Sequence, residues 1–208
     1  ETALLYLDIL KRQQKWGEIV QVVRGPLGEL FGQKEDSLRE QGAALMLLKR
    51  WDEARDVWLE LINLDIDDWS AYSSLLDAIC SANDLPVGNA EGSGSAAGWD
   101  AACKLALPIL LEQQGKQTDQ KRLPRAPFLA EIEVLSRRVG CTGDADVQAQ
   151  LVNLIAAYVT KFGARLCCAT DLVPRLSRIP SSHYPSVMET LKQIPPPEGD
   201  VSAVNARI

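Results

Sequence analysis

The chain has 208 residues, of which 46% are hydrophobic and 24% charged, and a net charge of −6. That length allows a sizeable core in one or two domains, and the acidic balance argues against nucleic-acid binding by the chain as a whole. The longest clean apolar run, Ala43 to Leu48, is far too short to cross a bilayer.

Helix formers dominate and no segment alternates with period two, so the expected elements are helices. Thr2 to Gln14 reads as the first, with Ala3, Leu4, Leu7 and Ile9 or Leu10 on one face. Trp16 to Arg24 is its partner, ended by Gly25-Pro26. Asp36 or Ser37 is expected to cap a third helix running to about Lys49, and Trp51 to Leu64 pairs with it. Asp67 or Asp68 caps a fifth, whose stripe is Trp69, Tyr72, Leu75, Leu76 and Ile79. Asn83 to Gly98 is rich in Gly, Ser and Ala with little to bury, and reads as a mobile insertion. Trp99 to about Gln114 completes a third pair, with Pro108 expected to kink or shorten it.

Beyond Gly115 the texture changes. Lys116 to Pro127 is polar and basic and reads as an extended connection. Pro127 suits the first turn of a helix striped by Phe128, Leu129, Ile132, Leu135 and Val139, with Gly140 and Gly143 ending it. Asp144 or Asp146 starts another, through Leu151, Leu154, Ile155, Tyr158 and Phe162, stopped by Gly163. Thr170 is expected to cap a short helix, and Ser181 or Ser182 a last one with Val187, Met188, Leu191 and Ile194. Pro195-Pro196-Pro197 should end order, leaving a disordered tail.

A repeat underlies the first half. Trp51, Ala54, Trp58 and Leu61 form one helical stripe, at i, i+3, i+7 and i+10. The same start recurs at Trp16 with Ile19, and at Trp99 with Ala102. Trp16 to Trp51 is 35 residues and Trp51 to Trp99 is 48, an excess of 13 that the Gly/Ser-rich segment absorbs. A period of about 34–35 is that of the tetratricopeptide unit. Gly42 and Leu45 fall at that pattern's small and large positions in the first helix of the second unit, while Ile66 stands where its usual Pro would be. Trp16, Ile19, Trp51, Ala54, Trp58, Trp99 and Ala102 are therefore the expected repeat-packing residues. The fold class is all-α, tetratricopeptide-like helix-turn-helix repeats forming an α-solenoid. The organisation reads as helix pairs over 1–86, a flexible insertion over 87–98, a continued solenoid over 99–194 and the tail over 195–208.

Candidate chemistry is sparse. The five cysteines, Cys80, Cys103, Cys141, Cys167 and Cys168, include no Cys-x-x-Cys, and the one histidine is His183, so neither a metal site nor a Cys/His catalytic pair is expected. They read as buried thiols in a reducing cytoplasm. Arg39-Glu40-Gln41-Gly42-Ala43-Ala44 fits an acetyl-CoA loop pattern, Arg/Gln-x-x-Gly-x-Gly/Ala. That loop needs backbone N–H groups at a strand-to-helix junction; no strand precedes it here, so no cofactor is expected. The local positive excess at Lys116, Lys121, Arg122 and Arg125, which Arg137 and Arg138 could extend, reads as a solvated linker or as an anionic contact such as ribosomal RNA phosphate. The chain opens on Glu1 with no signal peptide, and is expected to be a piece of a longer protein.

Two runs carry a resemblance. Leu123 to Glu133, followed by Arg137-Arg138 and Gly140-Cys141, is similar to the auxiliary subunit of the N-terminal acetyltransferase B complex. So is Tyr158-Val159-Thr160-Lys161-Phe162-Gly163 followed by Cys167-Cys168-Ala169-Thr170-Asp171-Leu172, and the repeats with Asp67-Asp68-Trp69 fit in order and spacing. The resemblance implies a large helical-repeat scaffold, of which this is an N-terminal portion. It implies a catalytic acetyltransferase subunit as partner, acting on N-termini that keep Met before Asp, Glu, Asn or Gln, and help in holding that enzyme at the ribosome. It implies no catalytic residue in this chain. The alternative from another class is a co-chaperone-like peptide-binding adaptor with a basic clamp on its inner helices. Leu, Tyr and Ala mostly stand where such a clamp would sit.

Overall fold

The structure, a computed structural model, describes residues 2–30, 32–87, 94–116, 123–163 and 167–176, with Lys192. Among these residues the regular elements are helical. The chain divides into two compact units, Glu1–Glu91 and Gly92–Ile208.

Unit 1 holds α1 (Thr2–Arg12), α2 (Trp16–Arg24), a 3-10 turn at Pro26–Leu30, α3 (Lys34–Leu47), α4 (Trp51–Leu64) and α5 (Trp69–Ala82). Each α-helix packs on the next in sequence, which is how short connections join antiparallel neighbours. The repeat is written in the backbone as well as in the side chains. Gln14, Lys49 and Asp84, each 35 residues from the next, adopt positive φ of 56°, 58° and 54°. The following amides close the same turn: Lys15 N–H donates to Leu10, Arg50 to Leu45 and Leu85 to Cys80, at 3.0, 3.0 and 2.9 Å. Leu10, Leu45 and Cys80 are all buried. The left-handed residue costs strain at a non-glycine, and the turn's hydrogen bonds and the buried residue beneath offset it. Three first helices thus end alike, and α5 is the first helix of a third unit.

Local rules explain most boundaries. Asp68 caps α5, its Oδ1 accepting from Ser70 N at 2.9 Å and Ala71 N at 3.3 Å. The third helix is not capped by Asp36 or Ser37, as expected, but starts at Lys34 after Gln33. Ser37 lies inside it and donates its hydroxyl to Gly28 O at 3.0 Å, tying α3 to the 3-10 turn. The expected face of α1 is also redrawn. Leu7 and Leu10 are buried, whereas Leu4 and Ile9 are exposed.

Unit 2 holds α6 (Ala96–Gln114), α7 (Ala126–Thr142), α8 (Ala145–Phe162) and α9 (Cys167–Leu176). Here α6, α8 and α9 all pack on α7, which is why twelve of its residues are buried, polar ones included. Helix α6 begins three residues before Trp99, capped by Ser95 Oγ accepting from Gly98 N at 3.0 Å. Trp99 therefore sits one turn in, at the distance from the cap that Ile19 and Ala54 have, and not at the first position of its helix. The segment expected as insertion, 87–98, accordingly gives its last three residues to α6. Pro108 lies within α6 and does not shorten it. Pro127 sits in the first turn of α7 as expected. Gly140 does not end α7; the stop is Gly143, left-handed at φ 63° with its N–H on Val139 O. Asp144 caps α8. Thr170 is interior to α9 and not its cap. The expected last helix from Ser181, His183 and the tail lie outside the described residues.

Candidate functional site

The repeat-packing residues divide by burial. Ile19, Ala54, Trp58, Trp99 and Ala102 are buried, while Trp16 and Trp51, the first residues of their helices, are half-buried. The tightest seam in unit 1 is Gly42 on α3 against Trp58 on α4. A Cβ built at Gly42 would stand 2.6 Å from Trp58 Cζ2 and 2.8 Å from Cε2 and Cη2. Glycine is required there by the indole, not by backbone conformation. The acetyl-CoA loop reading therefore has no place to act: Gly42 is inside a helix and under a ring.

Across the first helices runs a ladder of ion pairs. Lys11 on α1 meets Glu40 on α3 at 2.6 Å, and Arg39 on α3 meets Asp68 at the start of α5 at 2.5 Å and Ser70 Oγ at 2.6 Å. On the second helices Arg24 of α2 reaches Glu53 of α4 at 3.1 Å. Burial pushes the Asp68 carboxyl up, but the Ser70 hydroxyl, Arg39 and the Ala71 amide outweigh it and hold its pKa below the usual aspartate value. Beside this ladder lie two adjoining cavities of about 360 and 290 Å³ that share Lys11, Arg39 and Glu40.

In unit 2 the two runs that carried the resemblance converge. Glu133 on α7 is buried, and its two carboxylate oxygens hold Arg137 at 2.8 Å and Arg175 of α9 at 2.9 Å. Asp171 on α9 takes Arg125 at 3.1 Å and the Tyr158 hydroxyl of α8 at 2.9 Å. Arg175 also donates to the Asp171 carbonyl. Phe128 packs edge-on against Phe162, with ring centroids 5.5 Å apart, and Lys161 lies over Phe128 at 4.1 Å. The network fastens α7, α8 and α9 together. The sequence places Arg137 and Arg138 where they would extend the basic segment. Instead Arg137 is buried on Glu133, and Arg138 pairs with Asp100 of α6 at 2.8 Å.

Of the four basic-segment candidates, Lys116 pairs with Glu112 at 3.3 Å and Arg125 with Asp171. Lys121 and Arg122 lie outside the described residues. Burial pushes the Cys103 thiol up, against a hydrogen bond and charge from Arg138 that pull it down, so it is not poised as a thiolate nucleophile. Among the described residues no group of three or more His, Cys, Asp and Glu side chains could hold a metal, and no helix is long and apolar enough to cross a membrane.

Stacked helix pairs with a first-helix ladder in unit 1, and a unit 2 whose helices are held by buried ion pairs, define a tetratricopeptide-like repeat protein. Two family models divide the chain. Residues 69–207 match the non-catalytic subunit of the N-acetyltransferase B complex (NatB), and residues 1–62 match the N-terminal tetratricopeptide repeat region of Psidin. The chain belongs to the family of the NatB non-catalytic subunit. It is 27% identical over 197 residues to the human N-alpha-acetyltransferase 25, NatB auxiliary subunit, covering 92% of this chain and 20% of that protein. Its identity to the NatB auxiliary subunit of Arabidopsis thaliana is 25%, over 83% of this chain and 17% of that protein. It is likewise 28% identical over 178 residues to the phagocyte signaling-impaired protein of Drosophila pseudoobscura pseudoobscura. The chain thus spans about a fifth of the length of the curated relatives it matches. The family is described as that of a non-catalytic subunit.

Proposed function

We propose that the chain is part of a cytoplasmic scaffold that binds and supports the catalytic subunit of an N-terminal acetyltransferase. That enzyme works co-translationally on N-termini beginning Met-Asp, Met-Glu, Met-Asn or Met-Gln. The observation that carries the reading is the family match over residues 69–207 together with the polar network that the same residues build. A scaffold must hold its helices in one arrangement, and a buried network with every carboxylate oxygen of Glu133 engaged is a device for that. Repeat arrays then present extended surfaces to partners.

In this reading the first helices, along Ala3 to Lys11, Leu38 to Leu48 and Trp69 to Ile79, form the contact surface. The segment 87–98 stands at its rim. Ribosome association falls to Lys116, Lys121 and Arg122 more than to Arg125, whose guanidinium is held by Asp171. The co-chaperone clamp is not adopted. The inner-helix cations it would use, Lys11 and Arg39, are neutralised by Glu40 and Asp68.

The test is capture of the catalytic subunit and of ribosomes by the intact longer subunit across a salt series, with Lys121→Glu and Arg122→Glu. Phosphate contacts weaken steeply with salt, so ribosome capture should fall with salt and with the reversals, while the catalytic subunit stays bound. Release of the catalytic subunit with ribosomes retained would invert the two contacts.

A further inference from the structure

The 35-residue register, fixed by the left-handed residues Gln14, Lys49 and Asp84, gives each position of α1 an equivalent in α3 and α5. Leu10 corresponds to Leu45 and Cys80, and all three are buried. Two positions break the pattern. Tyr6 corresponds to Gln41 and Leu76, and Ile9 to Ala44 and Ile79. Gln41 and Leu76 are 8% and 1% exposed, and Ala44 and Ile79 2% each, whereas Tyr6 and Ile9 are 40% and 42% exposed. Apolar side chains therefore stand open at two register positions that the later repeats close.

The later repeats close them with the second helix of the pair before. Helix α3 packs on α2 as well as on its own partner α4, and α5 packs on α4. The face of α3 toward α4 is that of Gly42, under Trp58. Its face toward α2 is that of Gln41 and Ala44. The Gln41 amide oxygen accepts from Arg24 Nε at 3.0 Å, and Ala44 lines one cavity with Trp16 and Ile19 of α2. On α1 the counterpart of the first face is filled, since Leu7 and Leu10 are buried and α2 packs on this helix. The counterpart of the second carries Tyr6 and Ile9 and is open. Leu5 adjoins it at 61% exposed, and the equivalent of Leu5 is Glu40, which takes Lys11 from the preceding first helix. A single repeat cannot bury its apolar stripe alone; stacking on a neighbour does so.

We propose that the Tyr6 and Ile9 face of α1 docks a further helix pair of the same subunit, supplied by the longer polypeptide upstream. Its second helix lies on Tyr6 and Ile9 as α2 lies on Gln41 and Ala44. The register says where that helix runs. Trp16 and Arg24, the ends of α2, stand 25 and 17 residues before Gln41, and Trp51 and Leu64, the ends of α4, stand 25 and 12 before Leu76. The covering helix therefore lies within the 12–25 residues before Tyr6. Successive α-helices of unit 1 pack on one another in sequence order, which favours a segment of this polypeptide over a second copy or a separate partner. The matched region is 20% of the human relative, so the family has polypeptide to supply the pair. The proposal rests on the repeat register and not on the acetyltransferase reading. It takes Tyr6 and Ile9 out of the surface that α1 offers to partners.

The test uses the intact longer subunit. A photo-crosslinking benzoylphenylalanine replaces Tyr6, and linked peptides are identified by mass spectrometry. The expected product joins this position to the same polypeptide within the 12–25 residues upstream. In parallel, Ile9→Cys and Arg12→Cys are labelled with a maleimide and read at their own peptides. Arg12 and its equivalents Leu47 and Ala82 are all exposed, so Arg12→Cys reports an open position. Ile9→Cys should react at least about tenfold more slowly, as a side chain does that reacts only when its cover opens. Deleting the upstream 12–25 segment should bring it to the Arg12→Cys rate. A cross-link to another polypeptide, to a second copy or to a distant part of the subunit would overturn the proposal. So would equal reactivity of the two cysteines in the folded intact subunit, or protection of Ile9→Cys that survives the deletion. None of these readouts involves the acetyltransferase, so either reading can fail alone.

Discussion

The substitution Gly42→Ala separates a packing constraint from helix propensity. At an exposed mid-helix position this change should stabilise by about 1 kcal/mol, because glycine forfeits that much to alanine. At Gly42 the new methyl would fall 2.6 Å from the Trp58 ring. Real Cβ atoms do not approach so closely, and the obstacle is a rigid indole that is only 5% exposed. Overpacking of this kind costs about 1–3 kcal/mol. The steric cost cancels or outweighs the propensity gain, and the net expectation is a loss of up to about 2 kcal/mol, or up to roughly 8 °C in melting temperature for a chain of this size. The sharper version is a double-mutant cycle with Trp58→Leu. Removing the ring removes the obstacle, so in that background Gly42→Ala should be neutral or stabilising, with a coupling of about 2 kcal/mol. Thermal and urea unfolding of the four proteins measures it. Stabilisation by Gly42→Ala in the wild-type background, or additivity across the cycle, would refute the seam between α3 and α4.

Other outcomes follow from the same geometry. Trp58→Ala should cost about 3–5 kcal/mol by urea unfolding, and Trp51→Ala clearly less, since Trp51 is only half-buried. Glu133→Ala should cost about 3–5 kcal/mol, because it takes the carboxylate away from the buried Arg137 and Arg175 guanidiniums; a loss under 1 kcal/mol would show the network to be dispensable. Asp68→Asn keeps a capping side chain and removes the charge. The folded Asp68 pKa is depressed, so its contribution is present above the unfolded value of about 3.9 and is lost as pH falls through the folded value. The melting-temperature advantage of wild type over Asp68→Asn should therefore shrink below about pH 4, and an advantage that grows on acidification would contradict the pairing with Arg39. Calorimetry with acetyl-CoA should give no saturable heat; micromolar binding would reopen the loop reading at Gly42.

The repeat was legible in sequence because two tryptophans open their helices 35 residues apart, and that spacing is the true period of the backbone turns at Gln14, Lys49 and Asp84. The turns themselves were not legible, since Gln, Lys and Asp carry no shared signal for a left-handed residue. Trp99 misled about its own helix. Ser95 caps α6, and a Gly/Ser-rich stretch hides such a cap among many equivalent hydroxyls. The start of α3 was missed because Gln33 offers no capping side chain. Gly140 carries the same stop signal in sequence as Gly143, but of the two only Gly143 adopts the left-handed conformation that ends α7. The network in unit 2 was hidden for a different reason. Glu133 and Arg137 are spaced i, i+4, which on one helix reads as a solvated pair. Only the packing of α6, α8 and α9 on α7 turns that face inward. The resemblance had marked these residues as a signature, and the structure gives the signature a physical content, since Arg125, Glu133, Arg137, Tyr158 and Asp171 hold three helices to one another.

The central claim is that this chain belongs to a scaffold for an acetyltransferase. The most direct measurement is affinity capture of the intact subunit from its native source, washed at raised salt and read by mass spectrometry. The account predicts that an N-terminal acetyltransferase catalytic subunit is retained in near-equal amount. Its absence, with the captured subunit folded and a different set of partners in its place, would contradict the account.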